Sequence, residues 1–337
     1  MTNLLNNLVN GESLTQAQAE QFFSQVIKGE VAPELLAAML TALKIKTESP
    51  AEIAGAAIAI RNNATPFPSV YFAVADCVGT GGDGANTINI STTAAILAAA
   101  CGLKMAKHGN RSVSSMSGSA DLLEAFGVNL TMSPSTAKAC LEQANICFLF
   151  APAYHAGFKH AAPVRKALGI RTLFNILGPL VNPAHPKTML LGVYIPELIN
   201  TIAQSLLLTG VERAWVVHGS GLDEIALHGP TQVSEIRDGK ITEKTISPAD
   251  FGLKNYALDD IKGGTPQENA NIIKTILSGK GEPAHNAAVI INCAALLYLH
   301  NKSSDLKAAA QLASEVLASG KALATLETLV KVSQQAV

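Results

Sequence analysis

The sequence lacks the marks of a membrane, secreted or zinc protein. Its five cysteines, at 77, 101, 140, 147 and 293, are odd in number and scattered, and no CxxC pair occurs. Neither a disulfide framework nor a zinc site follows from such spacing, and reduced thiols in the cytoplasm are expected. No run suits a bilayer span. The longest uncharged stretch, Gly84 to Leu103, carries Asn86, Thr87, Asn89, Ser91, Thr92 and Thr93. The apolar stretch Ala284 to His300 holds Asn286, Asn292 and two histidines, and reads as a buried helix. Met1-Thr2-Asn3-Leu4-Leu5 shows neither a basic region nor a cleavage site, so no secretory signal is expected. An excess of one charge sign is also missing: 25 Lys+Arg face 26 Asp+Glu, a net of -1. That balance argues against attraction to a nucleic-acid backbone, while leaving room for a local basic pocket. Aromatics are scarce at 5%; apolar residues reach 48% and much of that is Ala, which suits close helix packing. There is no internal repeat and no low-complexity tail.

What is present divides in two. A chain of 337 residues exceeds one ordinary core, so two lobes are expected. Residues 1–68 read as helices. Ser13-Leu14-Thr15-Gln16 has the spacing of a capping box, and the helix it opens should end at Gly29. Glu34 to Lys44 puts Leu35, Met39, Leu40 and Leu43 at helical spacing. Ser49-Pro50-Ala51-Glu52 is a stronger helix start: cap, Pro first, Glu third. From residue 69 to 337 the pattern alternates. Strands are expected at Val74–Val78, Leu103–Lys107, Cys147–Phe150, Met189–Tyr194 and Ala214–His218, with helices between, Thr92–Cys101 among them. Such alternation predicts an α/β lobe with a mostly parallel sheet. Residues 155–187, rich in Gly, Pro and Lys/Arg, are expected to cross back to the helical lobe. At least three helices should follow Pro266, the last over about Lys321 to Gln334.

Four segments carry chemistry. The first, Gly79-Thr80-Gly81-Gly82-Asp83-Gly84, follows a strand and leads to Thr87, Asn89, Ile90, Ser91 and Thr92. Four glycines in six residues let a backbone approach an anion closely. The next helix start offers free N–H groups. Taken alone, such a turn is equally compatible with a plain tight turn. It is neither a Walker A loop nor GxGxxG. The second runs Lys107-His108-Gly109-Asn110-Arg111-Ser112-Val113-Ser114-Ser115 and on through Gly118 and Ser119 to Asp121 and Glu124. Lys107 and Arg111 offer charge and the serines hydroxyls; a solvated basic loop is the competing reading. Asp121 and Glu124 read as a helix-start charge and a surface charge. The third is Asp223-Glu224 after a strand, a pair able to converge on Mg2+ beside phosphate oxygens, or simply a solvated pair. The fourth spans His155, Arg165 and Phe174 to Pro183. The fork of Arg165 suits a planar carboxylate, though a surface Arg reads the same. Neither His108 nor His155 has metal-ligand spacing, and neither is assigned a proton-transfer role.

Together the four segments resemble the anthranilate phosphoribosyltransferase family. The matching residues are Gly79–Asp83 with Asn89–Thr92, Lys107–Ser115 with Gly118–Glu124, Phe150–Pro152 with His155 and Arg165, Asn175–Asn182, and Asp223-Glu224. The resemblance implies a small helical domain, a larger α/β domain with the site at the hinge, and a homodimer joined through the helical domains. It implies transfer of phosphoribosyl from 5-phosphoribosyl 1-diphosphate to anthranilate, in tryptophan biosynthesis. Position by position, Gly79, Gly82, Asp83, Thr87, Asn89, Ile90, Ser91, Thr92, Lys107 and Ser119 would hold the phosphoribosyl diphosphate. The stretch His108, Gly109, Asn110, Arg111, Ser112, Val113, Ser114 and Ser115 would close over it. Gly79, Asn110 and Arg165 would bind anthranilate, with His108 and His155 lining its approach. Ser91, Asp223 and Glu224 would hold Mg2+, two ions per subunit. No nucleic acid or membrane partner is implied. After His155 the chain reads Ala156-Gly157-Phe158-Lys159, where the family suggests Pro-Ala-Met or similar, which bears on the anthranilate channel. Two other readings compete: a pyrimidine nucleoside phosphorylase of related fold, and a nucleic-acid-binding relative without the reaction.

Overall fold

The computed structural model describes residues 2–112 and 116–335. The chain opens with α1 (Thr2–Val9), α2 (Gln16–Lys28), α3 (Pro33–Lys46) and α4 (Pro50–Asn62). Ser49 caps α4, Pro50 starts it and Glu52 completes the box, as expected. Glu52 is wholly buried and also accepts Leu14 N–H at 2.8 Å and Lys46 Nζ at 2.9 Å. One carboxylate therefore ties the entry to α2, the end of α3 and the start of α4. This also corrects the expected box at Ser13–Gln16. Leu14 is buried with its N–H held by Glu52, so α2 begins after it, and Thr15 and Gln18 form the box instead. Gly29 ends α2 in the left-handed region, as expected. The buried face of α3 is Leu36, Met39, Leu40 and Leu43; Leu35 is only partly covered, because the helical period selects its neighbour.

The alternating part follows: β1 (Ala75–Gly79), α5 (Ile90–Ala100), β2 (Met105–Gly109), α6 (Ser119–Ala125), α7 (Pro134–Gln143), β3 (Ile146–Phe150), α8 (Ala151–Tyr154), α9 (Ala162–Leu168), α10 (Phe174–Leu177), β4 (Thr188–Gly192), α11 (Leu198–Leu208) and β5 (Arg213–Gly219). Next come β6 (Thr231–Arg237), β7 (Lys240–Ile246), α12 (Pro266–Leu277), α13 (Pro283–Leu299), α14 (Leu306–Ala318) and α15 (Lys321–Ser333). The five expected strands are present, each within two residues of its expected bounds. The segment Ala284 to His300 is indeed a buried helix, α13. The helix expected from Thr92 starts earlier, at Ile90.

The sheet order among the described residues is β3-β2-β1-β4-β5-β6-β7. The first five strands are parallel and β6 and β7 add an antiparallel hairpin. That hairpin lies beyond the five strands expected from the sequence. Its signal is Asp238-Gly239 between two alternating runs, and both residues take positive φ, 52° and 72°, as a tight hairpin turn requires. Alternate strand residues enter two cores. Cys77, Leu190, Trp215 and Val217 pack with α5 and α13, while Val78, Leu191, Ala214 and Val216 pack with α2, α4 and α11. Ala161, Val164 and Phe174 join this second core, so the Gly/Pro-rich segment returns to the helical layer. The chain order reverses between β1 and β4, and a crevice forms at the carboxyl ends of the strands there.

Candidate active site

At those strand ends lies a cleft of about 830 Å³. It is lined by the turn after β1, the loop after β2, parts of the segment 151–181, and Asp223-Glu224. All the candidate site residues within the described residues therefore face one cavity. Val113, Ser114 and Ser115 lie outside the described residues.

The turn after β1 is pinned from below. Thr80 N–H donates to Gly192 O at 2.9 Å, and Tyr194 N–H donates to Thr80 Oγ1 at 3.1 Å. Gly81, Gly82 and Gly84 all take positive φ, which suits their residue type. Two other glycines make room for the acidic pair. A Cβ on Gly192 would lie 1.6 Å from the Asp223 carbonyl oxygen, and one on Gly79 would lie 2.3 Å from Asp223 Oδ2. Gly81 N–H donates to Asp223 Oδ2 at 2.7 Å. Asp223 N–H points to Asp83 Oδ2 at 3.4 Å. Glu224 accepts Ser91 N–H at 3.0 Å, at the second residue of α5, and also takes the Ser91 hydroxyl. Burial, then repulsion from Asp83, pushes Asp223 up to about 7. Burial, then repulsion from Asp223, pushes Glu224 up to about 8. Crowded carboxylates of this kind gain from a neutralising cation. With Ser91 they supply only hard oxygen donors, which fits Mg2+ completed by phosphate oxygens and water. No group of three or more His, Cys, Asp or Glu side chains able to hold a metal occurs among the described residues, so an all-protein cage is not formed.

The second loop is built differently from the simple reading. Lys107 is buried, and its Nζ donates to His108 O at 3.1 Å. Arg111 does not point its charge freely into the cleft. It forms a two-pronged pair with Glu124, at 2.7 and 2.9 Å, and a third bond to Asp121 at 3.0 Å. Asp121 also accepts the N–H groups of Ser112 and Gly118, at 3.0 Å each, which fixes the start of α6. Asn89 joins the two loops. Its amide donates to Ser117 O at 2.9 Å, and its oxygen accepts Ser117 Oγ and Asn269 Nδ2. Ser119 Oγ donates to Asn110 O at 3.2 Å. Thr87, Ile90 and Thr92 line the same wall.

The opposite wall is aromatic. Phe158 contacts His155 and Phe174 edge to face, with centroids 5.8 and 5.6 Å away, and His155 meets His108 in the same way at 5.2 Å. Arg165 lies over Phe174 at 5.3 Å, and burial lowers its pKa; among the described residues no acidic side chain pairs with it. Burial also lowers His155 to about 4 and His108 well below its usual value, so both rings are neutral at pH 7. His108 Nδ1 bonds to Gly178 O at 3.2 Å. Gly157 packs directly against α2: a Cβ there would lie 2.2 Å from Ile27 Cγ2. Sequence reasoning missed Arg171 and Tyr194. Arg171 stacks on the Tyr194 ring at 4.1 Å and donates to Gly82 O at 3.0 Å, bracing the glycine turn. The one available signal was the Lys/Arg enrichment of its segment.

The chain matches the glycosyl transferase family, helical bundle domain, over residues 2–64, and the glycosyl transferase family, a/b domain, over residues 72–323. A protein of Colwellia psychrerythraea named anthranilate phosphoribosyltransferase is 73% identical over 334 residues, 98% of this chain and 92% of the relative. One of the same name from Aeromonas salmonicida is 58% identical, covering 98% of each. Among solved structures, the anthranilate phosphoribosyltransferase of Thermus thermophilus superposes with a TM-score of 0.94 at 41% identity, over 98% of this chain and 99% of that one. The enzyme of Saccharomyces cerevisiae in complex with PRPP and Mg gives 0.88 at 30% identity, over 98% and 97%. The same yeast enzyme in complex with 4-fluoroanthranilate gives equal values.

Proposed function

The chain belongs to the anthranilate phosphoribosyltransferase family, and we propose that its cleft carries the transfer as follows. Phosphoribosyl is passed from 5-phosphoribosyl 1-diphosphate to the amine of anthranilate, giving N-(5-phosphoribosyl)anthranilate and diphosphate, a step of tryptophan biosynthesis. The observation that carries this reading is the convergence of the glycine turn, the Lys107 loop and the acidic pair on one cavity. Gly79, Gly82 and Asp83 with the start of α5 take the diphosphate end; Lys107 and Ser119 take the phosphoribosyl end. Arg165, which pairs with no acidic side chain among the described residues, takes the anthranilate carboxylate, with Asn110 and Gly79 beside the amine. His108 and His155 stay neutral and shape the approach. An aromatic amine is already neutral at pH 7, so no general base is needed. The protein holds both reactants in line and excludes water. Mg2+ fits Ser91, Asp223 and Glu224, two ions per subunit, and when bound would neutralise charge on the leaving diphosphate.

The same reading assigns residues 1–68, with 155–187 returning to them, to a helical domain and 69–337 to the α/β domain. It makes the active form a homodimer joined through the helical domains. Val9 of α1 and Ile45 of α3, exposed at 71% and 81%, support such a face. A cytoplasmic setting agrees with five free cysteines, four of them buried. Among the described residues no helix is long and apolar enough to cross a membrane. Neither the phosphorylase nor the nucleic-acid-binding reading gains support. The test is direct: protein, phosphoribosyl diphosphate, Mg2+ and anthranilate are mixed, and anthranilate fluorescence is followed. Its loss is expected. Unchanged fluorescence, or phosphate-dependent cleavage of thymidine or uridine, would overturn the reading.

A further inference from the structure

The ladder between β1 and β2 stops after one pair. Ala75 is matched to Met105 and no later pair forms, although β1 pairs with β4 from Ala75 to Gly79 and β2 pairs with β3 from Met105 to Gly109. Ala75 N–H donates to Lys104 O at 2.8 Å. The alternation of a parallel ladder would next join Cys77 N–H to Ala106 O, then His108 N–H to Cys77 O. Side chains take those places instead. Cys77 N–H donates to Asp76 Oδ1 at 2.8 Å, and His108 N–H reaches the same oxygen at 3.4 Å. Ala106 O accepts Asn182 Nδ2 at 2.7 Å. The same amide nitrogen donates to Asp76 Oδ2 at 2.8 Å, and Asn182 Oδ1 accepts Ala184 N–H at 2.9 Å. Asp76 and Asn182 are 0% and 2% exposed, so this is an internal wedge between two central strands.

We infer that Asp76 and Asn182 are positioning residues that set the separation of the two phosphate-binding loops. Those loops are the direct continuations of the strands the wedge parts: the turn from Thr80 to Asp83 follows β1, and the loop that starts at Asn110 follows β2. Lys107 lies between the two wedge-held peptide groups, Ala106 O and His108 N–H. Every hydrogen-bond partner of Asp76 among the described residues is a donor, so the position needs an acceptor at both oxygens. A carboxylate provides that, and an amide does not. Nor can Asn182 turn over to compensate, because its own oxygen and nitrogen are both committed. The inference rests on the reading that phosphoribosyl diphosphate spans both loops, whereas inorganic diphosphate needs only the first.

That difference supplies the test, made on the intact protein with Mg2+ by calorimetric titration. Asp76→Asn is expected to bind inorganic diphosphate within about twofold of the wild type. Its affinity for phosphoribosyl diphosphate is expected to fall roughly tenfold or more, since a small misplacement of one loop suffices. Asn182→Ala, a milder cut, should show the same split to a smaller degree and carries the test if Asp76→Asn does not fold. Equal weakening toward both ligands, or unchanged affinity for both in a folded variant, overturns the inference. Wild-type protein that holds phosphoribosyl diphosphate no more tightly than diphosphate would overturn the substrate reading, before any variant is compared.

Discussion

The carboxylate of Asp223 accepts the N–H of Gly81 at 2.7 Å, across 142 residues of sequence. The acidic pair and the glycine turn thus share one hydrogen-bonded unit, with Ser91 joined to it through Glu224. On the proposed reading, that unit would carry its negative charge beside the diphosphate, and a cation would have to lie between them. Removing the charge of both acids should remove the cation's anchor. Asp223→Asn with Glu224→Gln is expected to lower kcat roughly 100- to 1,000-fold, a rise in the barrier of about 2.7–4 kcal/mol, the usual loss for a well-placed transition-state stabiliser. A titration of Mg2+ against initial rate checks this. Near-normal turnover at limiting Mg2+ would remove both residues from the metal site.

Gly192 offers a second way into the same unit, without touching any charge. A methyl group there meets the Asp223 backbone at 1.6 Å, and a main-chain carbonyl cannot move aside as a flexible side chain would. Gly192→Ala is expected to push the acidic pair out of register and to cost about 1–3 kcal/mol of stability through overpacking. The affinity for Mg2+ with diphosphate should fall with it. Calorimetric binding together with a melting curve tests this, and intact Mg2+-diphosphate affinity would show that the loop adapts freely.

Much of this was legible in the sequence because it depends on local pattern. The Ser49–Glu52 box, the glycine stop at Gly29 and the parallel strands each follow from neighbours a few residues apart. The cleft residues were legible as motifs. What escaped needed partners distant in the chain. The start of α2 was misplaced because Glu52, 38 residues on from Leu14, takes the Leu14 N–H. The pairing of Arg111 with Asp121 and Glu124 is not legible from single charges, because the fold of the loop onto α6 brings the three together. Arg171 was missed because its role depends on Tyr194 and Gly82, which only the fold brings to it. The β6–β7 hairpin is the exception: Asp238-Gly239 was there to be read.

If Arg165 takes the anthranilate carboxylate, as proposed, its loss should separate recognition of anthranilate from the chemical step. Its guanidinium sits over Phe174 with no carboxylate of the protein to pair with among the described residues. A charged hydrogen bond contributes about 1.5–3 kcal/mol. Arg165→Ala should therefore raise the KM for anthranilate by roughly 10- to 100-fold, leaving that for phosphoribosyl diphosphate close to its starting value. Arg165→Lys should recover only part of the loss, because an ammonium keeps the charge but not the planar fork. Steady-state kinetics with each substrate varied in turn decide the matter. An unaltered anthranilate KM in Arg165→Ala would place the carboxylate elsewhere.

His155 ties the aromatic wall to pH. Burial holds its pKa at about 4 in the folded protein, against an ordinary value of 6.5. The folded state therefore resists protonation more than the unfolded chain does. A depressed pKa adds stability that is fully present above about pH 6.5 and is lost as pH falls toward 4. At pH 5 the loss from this one ring amounts to about 2 kcal/mol. His155→Phe keeps a flat ring against Phe158 but cannot titrate. Its unfolding free energy should change less between pH 7 and pH 5 than that of the wild type, by about the same 2 kcal/mol. Urea unfolding at the two pH values measures the difference, and a carbon-detected titration of the labelled ring should give a midpoint near 4. A midpoint near 6.5 would mean that the ring is solvated, and the neutral, water-excluding wall beside Arg165 would have to be abandoned.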